Sequence, residues 1–337
     1  MMSPNTKIVD ASVVEKVAAG SPNSRARRTS DDKARELEIS GVVSGKNVLI
    51  TGGAAGLGHA FFNHFLQFGA NKICIIDIDD VAGKKIVAST DKSHGVGKVI
   101  FIHADVSRHS EIVAGFQKAV KLMDAVDIVV NNAGILDERR WEREIAVNLN
   151  GMISVALLSM QYMGRDMGGR GGILVNVAEH MDVHCTAQLP VYTATKQAII
   201  GLSQSLAAPC NTERTGVRVI TLCPGLTETA LTIDSPNKLL SRVMKADFVK
   251  NLEQLTIQTP YVVAQGLMSV LRSSESGSIW VIENGQSPYE VFVPNCRSLR
   301  RLYKNNFTVV DAVKHASKGR PIREVCDSSR TGLMSCA

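Results

Sequence analysis

Short apolar runs punctuate this chain and alternate with longer amphipathic stretches. Runs such as Val48-Leu49-Ile50 and Ile73-Cys74-Ile75-Ile76 are continuous rather than alternating, as strands buried on both faces should be. The pattern predicts strands near residues 47–51, 72–77, 98–103, 127–131, 172–177, 217–222 and 278–283, with helical segments between them. Strand and helix in strict alternation predict an α/β fold with a parallel sheet covered on both faces. The alternation continues without a break to about residue 285. It predicts a single domain over residues 44–295, a polar and flexible N-terminal tail over 1–43 and a basic, flexible C-terminal tail over 296–337.

The first predicted strand runs into Thr51-Gly52-Gly53-Ala54-Ala55-Gly56-Leu57-Gly58, and a helical stretch from His59 to Phe68 follows. A strand, a glycine loop and a helix N-terminus together form an anion site, because free backbone N–H groups and the helix dipole face the ligand. Gly52, Gly56 and Gly58 allow a tight turn and a close approach by the pyrophosphate of a dinucleotide. The next strand ends in Asp77, the acid that the dinucleotide reading requires about 20 residues on. Asp77 suits ribose hydroxyls and repels a 2′-phosphate. No Lys or Arg lies in the loop or directly after Asp77, so the expected cofactor is NAD and not NADP.

Tyr192 and Lys196 stand four residues apart ahead of the apolar run Ala198-Ile199-Ile200-Gly201-Leu202. On a helix they share a face. A cation beside a phenol lowers the phenol's pKa, which makes Tyr192 a candidate proton-transfer group and Lys196 its activator.

Taken jointly, these motifs resemble the short-chain dehydrogenase/reductase family over roughly residues 44–295. The family's Thr-Gly-x-x-x-Gly-x-Gly loop is present in full, including Leu57 within it. Its adenine-ring aspartate matches Asp105, followed by Val106. Its Asn-Asn-Ala-Gly strand end matches Asn131-Asn132-Ala133-Gly134, and its structural asparagine matches Asn148. Its Pro-Gly-x-x-x-Thr segment, which reaches the nicotinamide carboxamide, matches Pro224, Gly225 and Thr229. The segments 141–151 and 188–192 are similar to NAD-dependent 15-hydroxyprostaglandin dehydrogenases and to insect alcohol and photoreceptor dehydrogenase-like proteins. The resemblance implies a Rossmann-type doubly wound sheet and hydride transfer between a carbinol and the nicotinamide. It further implies Tyr192 as proton acceptor, Lys196 on the nicotinamide ribose, and Asn148 holding a water that relays the proton outward.

The chain departs from the family at one position. The family's catalytic serine precedes the tyrosine by thirteen residues, where this chain has Glu179. Losing one hydrogen-bond donor to a developing alkoxide costs on the order of 10²–10³ in rate. An ionised carboxylate only accepts, opposes the alkoxide and raises the Tyr192 pKa. A neutral, buried Glu179 could still donate. His180, His184 and Thr186 are nearby alternatives. Two readings follow: a dehydrogenase weakened by Glu179, and a non-catalytic NAD-binding or scaffold protein.

Composition changes this picture little. The chain has 337 residues and a net charge of +6. Residues 286–337 hold nine Lys/Arg against four Asp/Glu, so the basic excess sits in the tail, densest at Arg297, Arg300, Arg301 and Lys304. No aromatic platform accompanies it, so nucleic acid is not an expected partner. Arg27-Arg28-Thr29-Ser30 fits a basic-directed phosphoacceptor site at Thr29 or Ser30, or a plain solvated linker. Seven cysteines show no metal spacing. Cys74 and Cys223 read as small core residues, and Cys185 as a loop thiol. No run of 18 or more apolar residues suggests a membrane span, no secretory signal pattern opens the chain, and a cytoplasmic location is expected.

The stretch Ile145 to Met163 is apolar on more than one face, as is the helix from Tyr192 through Leu206. A surface helix needs only one apolar stripe. The excess, with the resemblance, implies a homodimer through these two helices. After Thr229 the chain is apolar again at Leu231, Ile233, Leu239, Leu240, Val243, Met244 and Phe248, where the family carries its substrate lid. The expected substrate is a lipophilic alcohol or ketone: a hydroxy fatty acid, a prostaglandin-like compound, a retinoid or a simple alcohol.

Overall fold

The structure is a computed structural model that describes residues 41–179 and 187–293. All of these belong to one unit, spanning Ile39–Ala337. Expectations for Thr29, Ser30 and the two tails fall outside the described residues, as do those for His180, His184, Cys185 and Thr186.

Eight strands form one sheet in the order β3-β2-β1-β4-β5-β6-β7-β8. They are β1 Asn47–Thr51, β2 Lys72–Asp77, β3 Val99–His103, β4 Ile128–Asn131, β5 Gly172–Val177, β6 Val217–Pro224, β7 Ile279–Ile282 and β8 Tyr289–Val291. The first seven pair in parallel, as expected, while β8 pairs antiparallel with β7. Sequence reasoning missed β8, because three residues after Pro288 are too short to show a period. The helices are α1 Gly56–Gln67, α2 Asp80–His94, α3 His109–Met123, α4 Trp141–Ile145, α5 Met152–Met163, α6 Pro190–Leu206, α7 Pro209–Thr215, α8 Ala230–Asp234, α9 Lys245–Leu252 and α10 Pro260–Ser273.

Strand parity sorts the core into two layers. Val48, Ile50, Ile73 and Ile75 pack with Phe61, Phe65, Leu267 and Leu271 of α1 and α10. Their neighbours Leu49, Cys74 and Ile76 face the opposite side, against Ile112 and Phe116 of α3 and Val155 and Leu158 of α5. Successive side chains leave a strand on opposite faces, so a continuous apolar run supplies both layers. Cys74 and Cys223 are buried, as a core role requires.

Strand order reverses between β1 and β4, which both start connections that lead away from their shared boundary. In an open α/β sheet, the crevice at the carboxyl ends of such strands is where ligands bind. The helical run Glu138–Met163 has the length and mean hydropathy, 1.2, of a membrane-crossing segment. Its apolar residues Val147, Met152, Val155 and Leu158 are instead buried in this core, the usual fate of a core helix in a folded domain.

Candidate active site

One cavity of about 340 Å³ opens at that crevice, at the lower end of the range for small-molecule sites. Its wall includes Gly52, Gly56, Leu57, Asp77, Asp105, Val106, Asn132, Glu179, Tyr192, Lys196, Pro224, Gly225 and Thr229. The sequence named all of these. Gly58 and Asn148 are not in this wall, but Gly58 packs against Gly52 and Asn132, and Asn148 bonds Ile135, all three of them wall residues.

At one end, α1 starts without a side-chain cap and without an acid in its first turn, so its leading N–H groups are left for a ligand. A Cβ on Gly58 would lie 2.0 Å from the Gly52 carbonyl oxygen, and one on Gly52 would lie 2.9 Å from Ala133 Cα. Only glycine fits either place. Asn132 donates from Nδ2 to the Thr51 and Gly52 carbonyls at 3.0 and 3.2 Å, tying the β4 end to the loop. Asp77 accepts from the Ala54 and Asp79 backbone at 2.8 and 3.0 Å. It therefore braces the glycine loop and also lines the cavity. This cradle of bare N–H groups and missing side chains fits a dinucleotide pyrophosphate.

Asp105 binds Ser107 through Oδ1 and the Arg143 guanidinium through Oδ2 at 2.7 Å. Burial opposes its charge, but the Arg143 and Ser107 hydrogen bonds hold the carboxyl below its usual range. Arg143 itself lines the cavity, a site residue that sequence reasoning did not assign. Thr229 caps α8, accepting from Thr232 N at 3.4 Å, and so sets where the lid begins.

At the other end lie Tyr192 and Lys196 on α6. Pro190 opens the helix, where its missing N–H and fixed φ are an advantage. The Val191 and Tyr192 N–H groups donate to the buried Glu138 carboxylate, at 3.1 and 2.9 Å to Oε1. Glu138 thus caps the helix from 54 residues away in sequence. Lys196 Nζ donates to Val177 O at 3.1 Å and sits 5.6 Å from the Tyr192 ring centre. Asn148 is locked to Ile135, accepting its N–H at 2.8 Å and donating to its carbonyl at 2.7 Å. The turn that carries it, Ala146–Gly151, is π-helical, a local geometry that often marks functional sites.

Glu179 is half-buried beside this pair and hydrogen-bonds the Tyr192 phenol. Its Oε2 is buried with no hydrogen-bond partner. Burial pushes its carboxyl above the usual range, while Lys196 and the phenol hold it back. The Tyr192 phenol is pushed well above its ordinary value by burial, by the Glu179 charge and hydrogen bond, and by Glu144. That corrects the expectation of a phenol lowered by Lys196: desolvation and two carboxyls outweigh one cation. Lys196 is itself lowered by burial, opposed by Glu179.

Beside the phenol, Leu136, Leu189, Leu239 and Phe248 form a buried apolar cluster with Tyr192. The expected apolar lid divides here. Leu239 and Phe248 turn inward, whereas Ile233, Leu240 and Val243 are exposed. Sequence reasoning also missed Glu138 and Glu144, both fully buried. They lie in Glu138-Arg139-Arg140-Trp141-Glu142-Arg143-Glu144, a charge run with no outward sign of which carboxylates fold inward.

The short chain dehydrogenase family model matches residues 46–240. The 15-hydroxyprostaglandin dehydrogenase (NAD(+)) of Homo sapiens is 34% identical over 232 residues, covering 68% of this chain and 87% of the relative. Alcohol dehydrogenase 1 of Ceratitis cosyra is 28% identical over 243 residues, 72% of this chain and 93% of the relative. Among solved structures, the 3-ketoacyl-(acyl-carrier-protein) reductase from Brucella melitensis complexed with NADH superposes with a TM-score of 0.58 at 22% identity. It covers 73% of this chain and 99% of that one. Levodione reductase superposes with a TM-score of 0.60 at 22% identity, covering 72% and 98%. These two likenesses speak to the fold.

Proposed function

Because this chain belongs to the short chain dehydrogenase family, we propose that it is an NAD-dependent dehydrogenase that oxidises a lipophilic alcohol, held to a slow rate by Glu179. The observation that carries this reading is that one cavity joins Gly52, Gly56 and Asp77 to Tyr192 and Lys196. Relatives that carry NAD and alcohol or 15-hydroxyprostaglandin dehydrogenase in their names support the cofactor and the reaction class.

The cradle at α1 would hold the pyrophosphate, Asp77 the adenosine ribose, Asp105 and Val106 the adenine side, and Pro224, Gly225 and Thr229 the nicotinamide end. Bound there, NAD supplies the hydride acceptor. Tyr192, as the phenolate that the Lys196 ammonium favours, takes the hydroxyl proton of the alcohol. Asn148 keeps the π turn and the Ile135 backbone in register behind them. Ile135, Leu226, Ala230 and Leu231 in the cavity wall give an alkyl chain an apolar surface, so affinity should grow with chain length at about 0.8 kcal/mol per buried methylene.

In the resting site the phenol donates to Glu179 and must lose that proton before it can accept the alcohol's, and the position opposite it lacks a neutral donor. A slow enzyme follows from that arrangement. A cytoplasmic homodimer belongs to the same proposal: Leu157 on α5 is 52% exposed, as an apolar face awaiting a second copy would be. The test is NADH formation from a series of secondary alcohols of rising chain length, with NAD binding measured alongside by calorimetry. Rates that rise with chain length support the reading. NAD binding without turnover on every alcohol supports a non-catalytic NAD-binding protein instead.

A further inference from the structure

Gln258 is buried just before α10, and each of its polar groups is bonded. Its backbone faces the loop that follows β6. The N–H donates to Leu226 O at 3.0 Å, and the carbonyl accepts the Glu228 N–H at 2.9 Å. Its side chain faces the end of β7. Nε2 donates to Ile282 O at 2.7 Å, and Oε1 accepts the Gly285 N–H at 3.4 Å. A carbonyl on one side and an N–H on the other dictate which way the amide points. The Gly225 N–H donates to the same Ile282 oxygen at 2.8 Å. A Cβ on Gly225 would lie 2.5 Å from Glu283 Cβ and 3.6 Å from Gln258 Nε2, so loop, strand end and amide converge there.

These contacts bear on the cavity. Pro224, Gly225, Leu226, Thr227 and Thr229 all line it. Thr227 and Gln258 are bridge partners, so the lid, with α8 and α9 in it, leaves the domain and returns to it at one place. Leu239 and Phe248 of that lid pack with Tyr192. Loop and lid therefore share one base, and the Gln258 side chain ties that base to the sheet. A buried amide with both ends satisfied rigidifies what it joins. Removing it leaves its partners unpaired at the cost of their desolvation.

We propose that Gln258 is a positioning residue for the nicotinamide end of the cavity, its side chain holding the 225–229 loop and the base of the lid against the end of β7. The inference rests on the reading that places nicotinamide at Pro224, Gly225 and Thr229. Gln258 acts through the loop and is not in the cavity wall. The glycine cradle and Asp77 belong to β1, α1 and β2, whereas the Gln258 hydrogen bonds go to the loop after β6, to β7 and to the turn after it. A change at Gln258 should therefore weaken the hold on nicotinamide and spare the hold on the adenosine half.

The experiment compares the full-length wild type with Gln258→Leu, which keeps the bulk and loses both amide bonds, and with Gln258→Glu. Hydrogen exchange without ligand, read by mass spectrometry, should quicken about tenfold in Gln258→Leu for the peptide holding the Gly225 and Glu228 amides, the scale of one lost hydrogen bond. Exchange in β1 should not change. By calorimetry the variant should bind NAD about tenfold more weakly and bind ADP-ribose, which lacks nicotinamide, as wild type does. General destabilisation would lower both alike. Gln258→Glu offers a donor to Ile282 O only while its carboxyl is protonated. Its NAD affinity should match wild type at low pH and fall to that of Gln258→Leu as the carboxyl ionises. Unchanged loop exchange in Gln258→Leu overturns the proposal and leaves the placing of nicotinamide intact. Quickened exchange with unchanged NAD affinity overturns it by removing nicotinamide from this loop. Equal weakening of NAD and ADP-ribose overturns it as well. If Gln258→Leu does not fold, Gln258→Glu decides. NAD affinity that falls with pH relative to wild type, with that for ADP-ribose steady, supports the proposal, and a ratio independent of pH overturns it. None of these readings needs turnover, so a wild type that oxidises no alcohol removes the dehydrogenase reading while binding and exchange still decide on Gln258.

Discussion

Replacing Glu179 with serine perturbs the site where its geometry is most unusual. The carboxyl is buried, accepts the Tyr192 phenol and leaves Oε2 without a partner. Serine removes the charge and returns a neutral donor opposite the phenol. One restored donor is worth on the order of 10²-fold in rate, or about 2.7 kcal/mol of barrier. The pH profile should move as well. Tyr192 is raised first by burial, which serine leaves in place, then by the Glu179 charge and hydrogen bond, which serine removes. The rate optimum should therefore shift to lower pH. Stability follows the same linkage. A carboxyl whose pKa rises on folding favours the fold while protonated and loses that contribution as pH rises through the raised value. Wild-type stability should fall over that window, and the serine variant should lack the fall. The assay is the initial rate of NADH formation at saturating alcohol across pH, with melting curves in the same buffers. A serine variant slower than wild type, with NAD binding intact, would refute the reasoning and make Glu179 a working acid.

Three further outcomes follow from named contacts. Gly58→Ala should abolish measurable NAD binding by calorimetry, because its Cβ would fall 2.0 Å from Gly52 O and the loop must move; unchanged affinity would remove the cradle from the account. Asp77→Ala should weaken NAD, since the Ala54 brace is lost, and narrow the NAD over NADP preference by about tenfold, or 1.4 kcal/mol; competitive titration with both cofactors checks this. Glu138→Ala should leave the Val191 and Tyr192 N–H groups unpaired at a cost of about 1–3 kcal/mol, seen as a lower melting temperature, and an unchanged one would mean that α6 needs no such cap.

The fold was legible because buried parallel strands announce themselves. Val48 to Ile50 and Ile73 to Ile76 are apolar without interruption, and the glycine loop between them marks the turn. β8 was not legible, since Tyr289-Glu290-Val291 has no period of its own and exists by pairing with β7. Of the residues that line the cavity, those carried by sequence-local motifs were legible: Gly52, Gly56, Asp77, Tyr192 and Lys196. Residues that act across the fold were not. Glu138 caps a helix far along the chain, Glu144 is charged yet buried, and Arg143 holds Asp105 from another element. A sequence shows their charge but not the direction they fold. The Tyr192 pKa was misjudged for the same reason: spacing revealed the cation and concealed the burial.

The central claim is that Tyr192 takes the alcohol's proton in an NAD site. The most direct measurement is NADH formation by wild type and by Tyr192→Phe, with NAD binding measured on both. The account predicts turnover by wild type, a loss of about 10²–10⁴-fold in Tyr192→Phe, and equal NAD affinity. A phenylalanine variant as fast as wild type, or a wild type that binds NAD and turns over no alcohol, would contradict it.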